Sequence, residues 1–189
     1  MELADIIRQS DCSLCQESLL EIGGVSNYGA AIIAKIGSLE DGWYATLQRK
    51  TPADPQTGFS VHIMPQGHLT SFGQIKTNPR LTLNYGLIFS SIYQAIEEII
   101  REQSGLAQLG CYGKCGTSQN TKEHIHFKLF EESGGLNQPW PSDNPWSEKE
   151  VYITAKGDRV LALPVKKSIL SQERVDYLSR RLIYLLNDN

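Results

Sequence analysis

The chain has 189 residues, 40% of them hydrophobic and 21% charged, with a net charge of −3. That length supports one domain with a full core, or a smaller domain carrying an extension. A near-neutral balance without a Lys/Arg cluster argues against nucleic acid as a partner, because such binding leans on phosphate neutralisation. No apolar run reaches the length of a membrane span, so no membrane partner is expected either.

The N-terminal stretch MELADIIRQSDC is amphipathic and acidic. It does not read as a secretory signal, which makes the expected location cytoplasmic. The four cysteines, Cys12, Cys15, Cys111 and Cys115, are then expected as reduced thiols or metal ligands rather than disulfides. Residues 2–9 read as a short helix. In Cys12-Ser13-Leu14-Cys15 the spacing offers two thiolates to one tetrahedral ion. The competing readings are a redox pair, which needs a βαβ setting not visible here, and two unrelated small residues.

Residues 29–36 and 42–48 read as strands joined by a turn at 37–42. A polar loop with two prolines covers 50–58. Phe59-Ser60-Val61-His62-Ile63-Met64-Pro65 reads as a further strand, ending at Gln66-Gly67-His68. Asn78-Pro79 carries the signature of a helix start, a capping side chain followed by proline at the first helical position. Tyr85, Ile88, Phe89, Ile92, Ile96 and Ile99 then recur at helical spacing, predicting a long amphipathic helix to about Gln103 that lies on a sheet. A short strand is predicted over 107–112. The polar loop Gly113–Thr121 follows, whose backbone N–H groups are suited to phosphate oxygens.

The most informative stretch is Glu123-His124-Ile125-His126-Phe127-Lys128-Leu129-Phe130. Its two-residue alternation predicts a strand with Ile125, Phe127 and Leu129 in a core. His124, His126 and Lys128 would then stand on the other face, roughly 6.5–7 Å apart along the strand. One phosphate or one metal ion could touch two of these groups. Beyond it lie a Trp- and Pro-containing loop, a hairpin over 150–156 and 159–164, and a final helix capped by Ser171 and running to about Leu186.

The stretch resembles the signature of the histidine triad family, His-φ-His-φ-His-φ-φ with φ apolar, with Lys128 standing at the third histidine. Two further matches accompany it: a strand running through Pro65 into His68, and the polar Gly113–Thr121 loop at the place of the family's phosphate-contacting loop, with Thr121 three residues before His124 where the family usually has serine. Cys12-x-x-Cys15 also stands where the family often has such a pair. The resemblance spans roughly Cys12 to Phe130. It implies an α+β fold, with an antiparallel sheet of about five strands and a long helix. A C-terminal hairpin and helix are added in this chain. The expected division is 1–135 for the family-like domain and 136–189 for an extension packed on it.

The resemblance further implies nucleotidyl transfer or hydrolysis at an α-phosphate of a small-molecule nucleotide. His126 is then the nucleophile, His124 and Lys128 are its partners in catalysis, and Thr117, Ser118, Gln119 and Thr121 form the substrate-binding loop. A structural zinc ion held by Cys12, Cys15, His68 and His124 follows from the same comparison, with a four-cysteine site adding Cys111 and Cys115 as the rival. His62 falls where the family has an apolar residue and inherits no role. It is expected as a packed or hydrogen-bonded strand residue. Family members are commonly homodimers, so a homodimer is expected. The galactose-phosphate uridylyltransferase branch has glutamine at the third position, so a third histidine is not essential to all of the superfamily's chemistry. Lys128 and the lack of a counterpart to the family's upstream asparagine motivate the alternative expectation, a catalytically weak or inactive nucleotide-binding or regulatory protein.

Overall fold

The computed structural model describes residues 7–51, 58–104, 109–115, 124–131, 150–153, 159–162 and 168–188. In chain order the elements are α1 (Ser13–Glu17), β1 (Ala31–Ile36), β2 (Trp43–Gln48), β3 (Lys50–Thr51) and β4 (Ser60–Pro65). A 3-10 helix (Phe72–Thr77) and α2 (Pro79–Ser104) follow, then β5 (Leu109–Lys114), β6 (His126–Glu131), β7 (Glu150–Ile153), β8 (Arg159–Ala162), β9 (Ser168–Ile169) and α3 (Gln172–Asn187). The fold is α+β. Five strands form an antiparallel sheet in the order β1-β2-β4-β6-β5. β7 pairs with β8 in a hairpin, and β3 pairs with β9.

Alternation along the strands decides which side chains meet the helices. Trp43, Ala45 and Leu47 of β2, Val61 and Ile63 of β4, and Phe127 and Leu129 of β6 join one cluster with Ile88, Ile92, Ile96 and Ile99 of α2. Val175, Leu178, Leu182 and Leu185 of α3 complete it, so the C-terminal helix shares the main core. The opposite sheet face has a smaller apolar group, Ile32, Tyr44 and Met64, on which Leu14 and Leu20 pack. Next to that group the same face turns polar, through Thr46, His62, His126 and Lys128.

The predicted caps form. Asn78 Oδ1 accepts from the N–H groups of Arg80 (3.0 Å) and Leu81 (3.3 Å), and Ser171 Oγ accepts from Arg174 N–H (3.1 Å). Four elements had no periodic signal to announce them. α1 and the 3-10 helix are one or two turns long, and the paired β3 and β9 have two residues each, β3 within the stretch expected as loop.

The turn between β1 and β2 matters because it anchors the loop after β4. Gln66 Nε2 donates to the carbonyls of Ile36 and Gly37, each at 3.1 Å, and Gln66 N–H donates to the Gly42 carbonyl at 2.8 Å. A side chain at position 42 would collide with the Ser38 and Ile36 carbonyls and with Gln66 Nε2, so only glycine permits this approach. Asp41 Oδ1 accepts from Ser38 N–H (2.7 Å) and Ser38 Oγ (2.9 Å), closing the turn.

Candidate metal centre and the histidine face

Four buried side chains from three separate parts of the chain converge: Cys12, Cys15, His68 and His124. One turn of helix in α1 brings Cys12 and Cys15 to the same side, as three-residue spacing requires. Tyr44 fixes that turn to the sheet. Its hydroxyl donates to the Leu14 carbonyl at 2.7 Å and faces the Glu17 carboxylate at 3.4 Å. Ser18 Oγ lies 2.8 Å from the Cys15 carbonyl and 3.2 Å from that of Gln66, tying α1 to the loop that carries His68. That loop is held on both sides. His68 N–H donates to the Ile7 carbonyl (2.8 Å), and Ile125 N–H donates to the Leu69 carbonyl (2.9 Å) beside His124.

The ligand-capable atoms of the four residues lie within 4.8 Å of one another. Cys15 Sγ is 3.4 Å from His68 Nδ1, and both Cys12 Sγ and Cys15 Sγ are 3.6 Å from His124 Nδ1. A tetrahedral ion with sulfur at about 2.3 Å and nitrogen at about 2.0–2.1 Å sets its S···N edges at about 3.6 Å. The set therefore fits a four-coordinate metal, and the geometry is that of a closed site.

The electrostatics point the same way. The Cys12 thiol lies far below its usual range, chiefly because the Cys15 thiol hydrogen-bonds to it, with His124 adding to the effect against burial. Cys15 is driven the other way, first by its hydrogen bond to Cys12 and then by burial. The buried pair thus accepts one negative charge and resists a second. A dication removes that resistance and lets both sulfurs bind as thiolates. One cost remains: among the described residues, the buried Nε2 of His124 has no hydrogen-bond partner. Ligation through Nδ1 leaves Nε2 protonated, a loss of about 1–3 kcal/mol, well below the roughly 10–16 kcal/mol of a structural metal site.

Cys111 and Cys115, by contrast, are exposed and stand outside this group. The rival four-cysteine arrangement is not what the chain forms.

The histidine strand departs from its expected layout in one respect. Unbroken alternation would put His124 beside His126 on one surface. Instead β6 begins at His126, and His124 precedes it, 3% exposed, with its ring turned to the two thiols. Ladder pairing with β5 starts at Lys114↔His126, so nothing forces His124 to obey the strand's alternation.

What His124 offers its neighbour is its backbone. His126 Nδ1 lies 3.1 Å from the His124 carbonyl. A carbonyl only accepts, so Nδ1 carries a proton, and in the neutral ring the lone pair is then on Nε2. His126 and Lys128 are partly buried on the face turned away from α2 and α3. His62, given no role from the sequence, lies there too. Its ring is 5.8 Å from that of His126 at an interplanar angle of 25°, and its Cα partner across β4–β6 is Lys128. The alternation Val61-His62-Ile63 places His62 on the polar face, but cross-strand register is invisible in the sequence.

Thr117, Ser118, Gln119 and Thr121 lie outside the described residues. Among the described residues, no helix is long and apolar enough to cross a membrane. No family model matches the chain, and no curated protein matches it in sequence.

Proposed function

We propose that the protein is a nucleotide hydrolase or nucleotidyltransferase that works at an α-phosphate through a covalent nucleotidyl-His126. The observation that carries this reading is the bond from His126 Nδ1 to the His124 carbonyl. It orients the ring through Nδ1 and, in the neutral imidazole, puts the lone pair on Nε2, the form in which histidine is a nucleophile near neutral pH. In the proposed reaction Nε2 attacks phosphorus and the leaving group departs. Water or another acceptor then takes the nucleotidyl group and Nε2 recovers its electron pair. Lys128, two residues along the same strand face, supplies positive charge to the phosphoryl oxygens.

The metal in this reading is zinc, which suits two thiolates and two imidazoles in a closed tetrahedron. Its part is structural. It would fix α1, the His68 loop and the start of β6 around His124, and so hold the carbonyl that orients His126. A homodimer through α2 belongs to the same proposal. Leu83 (61% exposed), Leu87 (46%) and Tyr93 (40%) leave apolar surface on that helix.

The test is turnover of adenosine and uridine phosphoramidates and dinucleoside polyphosphates by the wild type and by His126→Gly. The expected result is activity in the former and none in the latter, with folding preserved. Binding without turnover by both proteins would favour the second reading, a nucleotide-binding protein, which the replacement of the third histidine by Lys128 motivates.

A further inference from the structure

The third imidazole of the resembled motif is missing from β6, and an imidazole stands on the neighbouring strand instead. His62 is the Cα partner of Lys128. Directly opposed residues of an antiparallel pair hold their Cβ atoms about 4.5–5.5 Å apart, so one strand can present a group where its neighbour would have presented it. Because Ile63 pairs with Phe127, His62 is also the diagonal neighbour of His126, and the two rings stack at 5.8 Å. Its flanking residues Val61 and Ile63 are fully buried in the helix-facing core, which pins the His62 side chain to the opposite face. His62 is only partly buried there, beside Thr46 of β2 by register.

Lys128 and His62 carry between them the two capacities that one imidazole combines. An ammonium supplies charge and three donors but no acceptor. Imidazole, with an ordinary pKa of about 6.5, both gives and takes a proton near neutrality, which alkylammonium, at about 10.4, does not.

The geometry points to His62 as the proton-transfer residue of the site, supplied across the sheet from β4, with Lys128 left to neutralise phosphate. This rests on the nucleotidyl-transfer reading. As the His126 Nε2 lone pair forms the N–P bond, the bond from phosphorus to the leaving group breaks. Its electron pair stays on the leaving atom, which takes the proton from the His62 imidazolium. In the second half-reaction water attacks phosphorus and gives its proton to neutral His62, and the N–P electron pair returns to His126.

The test is formation of nucleotidyl-His126 in quenched single turnovers. Each protein is given the p-nitrophenyl and the methyl esters of adenosine and uridine monophosphate. p-Nitrophenolate leaves without a proton and methoxide does not. His62→Phe, which keeps a stacked ring, should slow the methyl ester by roughly 10²–10⁴-fold, the usual worth of a positioned acid, and the p-nitrophenyl ester by less than about tenfold. His62→Gln, smaller and polar, should show the same split. Adding Lys128→His to His62→Phe should restore part of the methyl-ester rate.

An equal fall with both esters would make His62 a support for the His126 ring, and no fall would make it a bystander; either overturns the inference while the nucleophile stands. A wild type that forms no adduct with any ester overturns the nucleotidyl-transfer reading and this inference with it.

Discussion

His124 and His126 are separated by one residue, yet their surroundings have little in common. His124 is 3% exposed, set between two thiols and 5.2 Å from the ring of His68. Its neighbours are tied down by Tyr44, Ser18 and Gln66. His126 is partly buried on the sheet face away from α2 and α3, beside His62 and Lys128, and its Nδ1 is held by a backbone carbonyl. In the first cluster the two sulfurs and the Nδ1 atoms of His68 and His124 are directed at one another. In the second, Nδ1 of His126 is held by a carbonyl, which in the neutral ring puts the lone pair on Nε2. A closed donor set suits holding the fold, and an open one suits chemistry. The contrast separates residues whose loss should cost stability from those whose loss should cost only rate.

The largest effect that could break this division is removal of the thiolates. Cys12→Ser with Cys15→Ser should abolish metal binding, from about one ion per chain to none. It should also lower the thermal midpoint by 10 °C or more, since several kcal/mol of ligation are lost and each is worth about 2–4 °C in a chain of this size. Metal analysis and calorimetry check this. A double variant that keeps stoichiometric metal or an unchanged midpoint would dissolve the distinction.

Lys128 sharpens the other side. Lys128→Met should slow nucleotidyl transfer by about 10²-fold if the ammonium neutralises phosphate, and Lys128→His should keep or raise the rate. Both should leave the melting temperature within a few degrees. Steady-state rates and melting curves on the same preparations decide it, and unchanged rates in both would make Lys128 incidental.

A smaller effect is expected at Tyr44, which is fully buried and supports the turn that carries Cys12 and Cys15. Tyr44→Phe leaves the Leu14 carbonyl without its donor, a cost of about 1–3 kcal/mol. Its midpoint should fall by a few degrees with metal retained, as read by calorimetry and metal content.

The smallest belongs to Asp41, which touches neither cluster and closes the β1–β2 turn. Its carboxyl sits below the ordinary value of 3.8, first because Ser38 N–H and then because Ser38 Oγ donate to it. A folded-state pKa below the unfolded one gives stability that is present above about 3.8 and fades as the pH falls through the lower value. Asp41→Ala should therefore cost about 0.5–1 kcal/mol at pH 7, discounted for exposure. It should cost little near pH 2 and leave metal content and rates unaltered. Urea titrations at the two pH values measure it.

The parts of this molecule legible in the sequence are those written as local periodicity. The run from Ile88 to Ile99 announces α2, alternation from His126 to Phe130 announces β6, and Asn78-Pro79 and Ser171 mark helix starts. The cysteine spacing was legible as a metal pair, but only the resemblance joined it to His68 and His124, since convergence of three distant segments leaves no local trace. His62 shows the limit most clearly. Its own strand is legible, yet its proposed role depends on the β4–β6 register, which sets Lys128 opposite it and His126 on the diagonal. Likewise β3 and β9 are two residues each, too short to show any period.

The central claim, that His126 is the nucleophile beside a structural metal centre, is tested most directly by peptide mapping of wild-type protein quenched during reaction with a nucleoside phosphoramidate. The account predicts one nucleoside monophosphate adduct, on His126, absent from His126→Gly and undiminished by Lys128→His. Product formation with no adduct, or an adduct on another residue, would contradict it.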